Sequence, residues 1–355
     1  MSSPESDPVG APSHDGHRPD VNGSTVAEGE RAIDIENLQV TYADGTEALR
    51  GVDMVVPEGE FFGFLGPNGA GKTTTIKVLA TLLAPTSGAV RVNGFNVRAE
   101  SQQIRESIGY MAQETSIDPE LTAQENISFA CEAYGVPRGE RAQRVSDLLD
   151  LVDLTDVADK TAEEFSGGMQ KRLDAATALV HQPPLVFLDE PTTGLDPKAR
   201  NRLWEYFRRI NNRGTTIFLT TQYLEEADQL CNRLSVILNG EIVVEGSPAD
   251  LKRRVGGEIL DVEIDTGGGA VDRSVAIATA FEPFADATVE RTETGISVTA
   301  ETARTHGTEL LVALRDKGIT VTGFNIRAPT LDDVFLAITG EHIEPEQAAD
   351  EEVSR

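Results

Sequence analysis

Gly66-Pro67-Asn68-Gly69-Ala70-Gly71-Lys72-Thr73-Thr74 lies between the apolar run Phe61-Phe62-Gly63-Phe64-Leu65 and the helical pattern from Thr75 to Leu83. Strand, glycine-rich turn and helix form the setting in which G-x-x-x-x-G-K-[ST] cradles phosphate rather than merely turning the chain. The glycines let the backbone wrap closely around an anion, and the N–H groups so freed point inward. The positive end of the following helix adds to the field. Lys72 can reach the β- and γ-phosphates of a nucleoside triphosphate, and Thr73 can ligate Mg²⁺.

A second group of residues could act on what the first holds. Leu185-Val186-Phe187-Leu188 is a buried-strand pattern that ends in Asp189-Glu190. The carboxyl end of a central parallel strand is where an α/β sheet places its site. Asp189 can hold the Mg²⁺ shell, and Glu190 can polarise an attacking water. Ser166-Gly167-Gly168 opens a helix from Met169 to about His181, leaving several helix-terminal N–H groups exposed. Such an end is either a second anion site or a plain helix cap, and on its own the cap is the simpler reading. Gln113 ends a strand pattern over 108–112, and Gln222 stands just past one over 216–220. Tyr42, at the end of the first strand pattern, reads by itself as an ordinary strand aromatic. His14 and His17 have no further ligands near them and read as solvated tail.

The elements that must position these groups are legible in outline. Alternation over Ile33–Tyr42 and Ala48–Val56 predicts two strands joined at Asp44-Gly45. Pro85-Thr86-Ser87-Gly88 ends the first helix, and Ala89 to Asn93 is a short strand. Residues 120–165 turn helical, opening with the capping box Thr122-x-x-Glu125 and continuing after Pro137 with the stripe Val145, Leu148, Leu149, Val152. Asp196-Pro197 opens a helix to about Asn212, and Asn239-Gly240 marks a hairpin. Ser247-Pro248 opens a short helix that closes a first domain near Gly256. Beyond it, strand 259–264, helix 270–280, strands 287–292 and 295–300, helix 303–316 and strand 319–326 give the order β-α-β-β-α-β, a small ferredoxin-like α+β domain. Thr330 caps a last helix, Leu331 to Ile338. The expected division is a disordered acidic tail over 1–30, a nucleotide-binding α/β domain over 31–256 with a helical subdomain over about 98–165, a small α+β domain over 257–340, and an acidic tail over 341–355.

Composition narrows the partners. The formal net charge is −28, from 59 acidic and 31 basic residues, and no basic stripe is apparent in the sequence, which disfavours nucleic acid and anionic lipid as direct partners. Lys supplies only 7 of the basic residues, and aromatic residues make up 5% of the chain. High acid with little Lys predicts a protein adapted to concentrated salt, where self-repulsion is screened. Cys131 and Cys231, far apart, give neither a disulfide framework nor zinc spacing, as in a reducing compartment. Residues 1–30 lack the apolar core of a signal peptide, and no run of about 18 uncharged apolar residues is present to cross a membrane.

Taken in order, GPNGAGKTT, Gln113, FSGGMQKR, LVFLDEP, Gly194-Leu195-Asp196 and TTQYLEEAD, over about residues 32–256, resemble the ATP-binding subunits of ABC transporters. The segment Arg327 to Phe335, RAPTLDDVF, is similar to the end of the daunorubicin-resistance (DrrA-type) branch, which pairs with separate ABC-2-type membrane subunits. The resemblance implies a P-loop NTPase fold of the ABC type, ATP and Mg²⁺ as cofactors, and roles position by position. Tyr42 would stack on adenine, contrary to the plainer reading above. Gly66, Pro67, Asn68, Gly69, Ala70, Gly71, Lys72, Thr73 and Thr74 would hold the phosphates. Thr73, Gln113 and Asp189 would surround Mg²⁺, and Glu190 would be the base for water. Ser166, Gly167 and Gly168 would contact the γ-phosphate held by a second copy of the chain, with Asp196 at that interface.

It also implies an ATPase driving multidrug-type export at the cytoplasmic face of the membrane, held there only through an ABC-2-type permease subunit. Two departures stand out. Phe165 and Met169 replace the outer residues of the usual LSGGQ, and Gln222 stands where most of the family has histidine. Glutamine can hydrogen-bond a γ-phosphate but carries no proton near neutral pH, so hydrolysis is expected to be slow, without a histidine limb in its pH profile. The competing readings are a soluble ABC-type ATPase acting without a membrane partner and a nucleotide-dependent regulator. The charge and the single ATP-binding domain weigh against the first, and the pair Asp189-Glu190 against the second.

Overall fold

The computed structural model describes residues 31–339; the tails expected at 1–30 and 341–355, with His14 and His17, lie outside the described residues. The described residues open with Arg31–Thr41 (β1) and Glu47–Pro57 (β2), an antiparallel pair whose register shifts between Ile35 and Leu38. Phe61–Leu65 (β3) is buried along its whole length and leads through the glycine-rich loop into Lys72–Leu79 (α1). Ser87–Val92 (β4) and Phe95–Asn96 (β5) extend the first sheet in the order β2-β1-β4-β5.

Ser101–Ser107 (α2) leads into Ile108–Met111 (β6). Ala123–Ala133 (α3) and Arg138–Leu151 (α4) make the helical excursion, and Gly167–Thr177 (α5) returns to the sheet. Leu185–Asp189 (β7), Pro197–Asn211 (α6), Thr216–Thr221 (β8), Leu224–Leu230 (α7), Arg233–Leu238 (β9), Glu241–Gly246 (β10) and Pro248–Val255 (α8) follow. The central sheet runs β10-β9-β3-β8-β7-β6, parallel except for β10.

Two cores flank this sheet because its strands alternate between them. Phe62, Phe64, Phe187 and Phe218 face β1, β2 and α1, with Phe62 and Phe218 stacked at 5.7 Å. Phe61, Leu65, Val186, Leu188 and Leu219 face the helical side, where Ile127, Leu148, Leu173 and Phe207 pack. The continuous apolar runs in β3 and β7 are what burial on both faces requires.

Glu258–Ile264 (β11), Ala270–Thr279 (α9), Thr288–Arg291 (β12), Gly295–Ala300 (β13), Ala303–Asp316 (α10) and Val321–Arg327 (β14) build a third sheet, all antiparallel, ordered β12-β13-β11-β14. That is the split β-α-β arrangement expected from the element order. Its core, around Leu260, Val262, Ile296, Val298, Leu310 and Leu314, is its own. Leu331–Thr339 (α11) leaves that core: Leu331, Val334 and Phe335 join the helical-side core of the central sheet, with α11 against α7 and α8.

Some elements differ from the sequence reading. α1 begins at Lys72 rather than Thr75 and ends at Leu79 rather than Leu83, because Thr81 takes a left-handed φ of 61°. α5 ends at Thr177, well short of His181. The short helices α2 and α7 were not anticipated; at seven residues each they are too short to show periodicity. The acidic average also hid a local feature, since Lys198, Arg202 and Arg209 are exposed on α6 and Arg213 is exposed just past its end.

Candidate functional site

Strand register assembles the site. In the parallel ladder Leu65 lies beside Thr221, Thr220 beside Asp189, and Leu188 beside Met111. The carboxyl ends of β3, β8, β7 and β6 therefore coincide, and the segments that follow them meet at one edge of the sheet.

The loop after β3 is shaped by what surrounds its glycines. A Cβ on Gly66 would lie 2.3 Å from the Ile237 carbonyl oxygen; one on Gly71, whose φ is 115°, would lie 2.7 Å from Leu49 Cδ2. No side chain fits at either position. Inside the loop, Lys72 is 4% exposed. Its Nζ donates to the Gly66 carbonyl at 2.8 Å and the Pro67 carbonyl at 3.1 Å, and lies 3.1 Å from Glu190 Oε1. The cation is thus held at the mouth of the loop and neutralised by the carboxylate. Tyr42 donates or accepts a 3.0 Å bond with Thr74 Oγ1 while its ring remains partly exposed beside the cradle.

At the end of β7, Thr220 donates to Asp189 Oδ1 at 2.6 Å. Burial raises the Asp189 carboxyl above its ordinary value; the Thr220 bond opposes this, Glu190 adds to it, and Lys72 and Lys77 oppose it again. Glu190 has a left-handed φ of 47°, and its N–H donates to the Thr220 carbonyl at 3.1 Å. This sparsely populated backbone conformation turns the side chain off the strand toward Lys72. A cavity of about 300 Å³ opens here, lined by Asn68, Gly69, Gly71, Lys72, Thr73 and Thr74 from the loop and by Gln113, Glu190, Thr193 and Gln222 from the strand ends. Gln222 is 4% exposed.

Of the three residues expected around Mg²⁺, Thr73 and Gln113 line the cavity, whereas Asp189, 2% exposed, is not among its lining residues; all three offer hard oxygens. Among the described residues there is no group of three or more His, Cys, Asp or Glu that could hold a metal on its own. A donor set of this kind fits Mg²⁺, which keeps most of its water and is bound together with substrate phosphates.

Ser166, Gly167 and Gly168 are not among the residues lining this cavity. Ser166 caps α5, its hydroxyl accepting from the Met169 N–H at 3.4 Å, so the capping role read from sequence is present. Ser166 and Gly167 are exposed, and a Cβ on Gly168 would lie 2.8 Å from Ala199 Cβ, which sets this helix end against the start of α6. Gly194 and Asp196 are exposed there too, Asp196 Oδ1 accepting from the Lys198 and Ala199 N–H groups at 2.9 and 3.0 Å. One chain therefore carries a cradle and, apart from it, a second exposed cluster of N–H donors. Phe165 is 7% exposed within the core, a place an aromatic ring fills as well as a leucine would.

Three residues were missed by the sequence reading. Thr220 buttresses Asp189, Thr193 lines the cavity, and Lys171 Nζ on α5 donates to the Gln113 carbonyl at 2.5 Å. Thr220 and Lys171 lie inside the quoted TTQ and FSGGMQKR segments, but their partners are set by packing between elements.

Comparison with known proteins agrees with this geometry. A family described as "ABC transporter" matches residues 49–193, and one described as "ATP-binding protein DrrA1-3-like, C-terminal domain" matches residues 246–339. The chain is 39% identical over 334 residues to the daunorubicin/doxorubicin resistance ATP-binding protein DrrA of Streptomyces peucetius, covering 91% of this chain and 97% of that one. It is 35% identical to the linearmycin resistance ATP-binding protein LnrL of Bacillus subtilis (strain 168), covering 87% and 98%, and 35% identical to the Nod factor export ATP-binding protein I of Sinorhizobium fredii, covering 96% and 95%. Among solved structures, an ATP-binding subunit of an ABC transporter superposes with a TM-score of 0.57 at 31% identity, covering 63% of this chain and 92% of that one. A dimeric ATP-binding cassette in a post-hydrolysis state with ADP and phosphate superposes with a TM-score of 0.56 at 28% identity, covering 61% and 98%.

Proposed function

This chain belongs to the ABC transporter family as an ATP-binding subunit, an ATPase, and from that premise we propose that it powers export by a separate ABC-2-type membrane permease at the cytoplasmic face of the membrane. No helix among the described residues is long and apolar enough to cross a membrane, so the path for cargo falls to the partner. Relatives are named for daunorubicin/doxorubicin and linearmycin resistance and for Nod factor export, and a cargo of a comparable kind is the proposal here.

The observation that carries the mechanism is the separation of the two anion-binding ends. Lys72, Thr73, Gln113, Glu190 and Gln222 share one cavity, while Ser166–Gly168 faces out elsewhere. Two copies placed head to tail complete each cavity with the other's Ser166–Gly168, giving a homodimer with two ATP sites. Tyr42 lies against adenine, and residues 66–74 wrap the phosphates. Thr73, Gln113 and Asp189 would hold Mg²⁺, which would supply charge neutralisation at the β- and γ-phosphates. Lys72 leaves Glu190 for the incoming phosphate, and the freed carboxylate orients water for in-line attack and takes its proton. Gln222 hydrogen-bonds the γ-phosphate without exchanging a proton. ATP and water become ADP and phosphate. Residues 31–256 form the ATP-binding domain in this reading and 257–340 the smaller one, with α11 strapped back onto the first.

The test is co-expression with candidate six-span subunits, followed by affinity purification from detergent-solubilised membranes and a phosphate-release assay. The expected result is a complex containing a hydrophobic subunit whose presence raises ATP turnover. ATPase activity with no membrane subunit retained would instead favour the soluble ATPase reading.

A further inference from the structure

Behind Glu190 and Gln222 lies a carboxyl group that the reaction described above leaves unused. Glu226, in the first turn of α7, is fully buried. Its Oε1 accepts from Trp204 Nε1 on α6 at 2.9 Å. Its Oε2 makes no well-formed hydrogen bond, and neither does the hydroxyl of Thr192, itself fully buried two residues after Glu190, although the Thr192 and Thr221 hydroxyls lie close enough to act on the carboxyl. Burial raises the carboxyl above its ordinary value, and the Thr221, Trp204 and Thr192 side chains, in that order, then the Arg200 charge, offset this only in part. Arg200 lies with its guanidinium 4.8 Å over the ring of Tyr223, the residue after Gln222.

Three segments therefore converge on one carboxyl. They are Thr192-Thr193 following Glu190, the start of α6 following Gly194–Asp196, and Thr221–Tyr223 around Gln222. The first and third line the ATP cavity through Thr193, Glu190 and Gln222. The second carries Asp196, placed at the dimer interface. A buried acid with an unpaired oxygen costs stability, whereas a leucine of similar volume would fill the space without that cost. Packing gives no reason for the acid, but the Thr192 hydroxyl set close beside it without a well-formed bond does.

We propose that Glu226 is a positioning residue for ATP hydrolysis. In the closed, ATP-bound dimer its free oxygen pairs with the Thr192 hydroxyl while Trp204 keeps the other, tying the segment behind Glu190, the start of α6 and Gln222 into one unit. Closure at the Asp196 interface is thereby transmitted to the orientation of Glu190 and Gln222. This rests on the reading of those two residues as the groups around the γ-phosphate.

Trp204 is the single tryptophan of the chain, so its fluorescence reports on this carboxyl directly. The experiment uses the full chain and compares wild type, Glu226→Leu, Glu226→Gln, Thr192→Val and the Glu226→Leu/Thr192→Val double variant, with melting curves for each. In Glu226→Leu, kcat should fall by about 100-fold with KM for ATP within about twofold, the scale of a small misplacement of reacting groups. Glu226→Gln, whose amide can accept from Trp204 and donate to Thr192, should stay within about threefold of wild type. The double variant should be no slower than Glu226→Leu. In a Glu190→Gln background, ATP should shift Trp204 fluorescence with Glu or Gln at position 226 and not with Leu. Wild-type kcat in Glu226→Leu or Thr192→Val, or additive effects in the double variant, overturns the proposal. So does equal loss in Glu226→Gln and Glu226→Leu accompanied by lowered melting temperatures. Should Glu226→Leu fail to fold, Thr192→Val and Glu226→Gln decide between these outcomes. An active wild type that Glu190→Gln leaves active would remove the underlying assignment of Glu190; an active wild type silenced by Glu190→Gln but insensitive at 226 and 192 removes only this inference.

Discussion

Lys72 and Glu190 block each other in the structure. Their charges are 3.1 Å apart and both side chains are almost wholly buried, so each masks the group its partner would present to ATP. In the proposed mechanism phosphate entry separates them, which would free the base only once substrate is bound. Lys72→Ala should therefore weaken nucleotide binding itself, seen as a raised Kd for a fluorescent ATP analogue. Glu190→Gln should leave that Kd unchanged and lower turnover by about 10²-fold or more, the loss expected for a general base. Near-normal phosphate release in Glu190→Gln would reject the assignment. No histidine lines the cavity, and Gln222 occupies the place nearest the strand end, so the pH–rate profile should lack a limb near pH 6.5. A limb there that vanishes on altering Gln222 would contradict this. The cradle and the Asp189-Glu190 pair were readable because their chemistry is local in sequence. Thr220, bonded to Asp189 across two strands, was not, since only β-register brings it there.

Among the elements, α11 shows best how the parts are joined. Arg327, at the end of β14, donates to both oxygens of Asp333, at 2.6 and 3.0 Å, and to Asp261 on β11 at 2.9 Å. Asp333 also accepts from the Thr330 N–H at 2.7 Å, closing the helix start. Burial works to raise the Asp333 carboxyl, but the Arg327 and Thr330 bonds together outweigh it and hold it below its ordinary value. A carboxylate lowered in the folded state adds stability above the pKa it has when unfolded. That contribution is lost as pH falls through the lower, folded value. Asp333→Asn should destabilise by about 1–3 kcal/mol at pH 7, the worth of charged hydrogen bonds, and the gap should narrow only below about pH 4 and close as pH falls through the lower, folded value. Urea unfolding at constant salt at both pH values measures it, and an equal gap at both would refute the charge argument. Elsewhere the local signals held: the Thr122–Glu125 capping box forms as its sequence requires, and Thr122→Ala should cost about 1 kcal/mol. The path of α11 back to the central core was not legible, because its apolar stripe fits any apolar surface and only the turn at Arg327–Thr330 aims it.

For the molecule as a whole, the net charge of −28 predicts that the fold depends on salt. At about 1 M salt the Debye length is near 3 Å, and repulsion among surface carboxylates is largely screened. Dialysis from molar to low salt should lower far-UV circular dichroism and ATPase activity together; unchanged signals would rule out salt adaptation. If two identical chains pair head to tail as proposed, the same charge would make that pairing depend on salt, so ATP-driven dimerisation of Glu190→Gln, followed by size-exclusion chromatography, should weaken as salt is removed. If Ser166–Gly168 completes the partner's site, Ser166→Ala should reduce turnover more than it reduces ATP affinity. An ordinary cap loss would leave kcat unchanged.

The sequence by itself determined the phosphate loop, the Asp189-Glu190 strand, the succession of most strands and of the longer helices, and the family, since each is written in contiguous residue types or in their alternation. Only the tertiary structure decided that the ends of β3, β6, β7 and β8 coincide, that Lys72 faces Glu190, that Ser166–Gly168 stands apart from the chain's own cradle, and that Glu226 is buried beside Thr192. Those facts depend on strand register and on packing between residues distant in the chain, which local propensity does not encode.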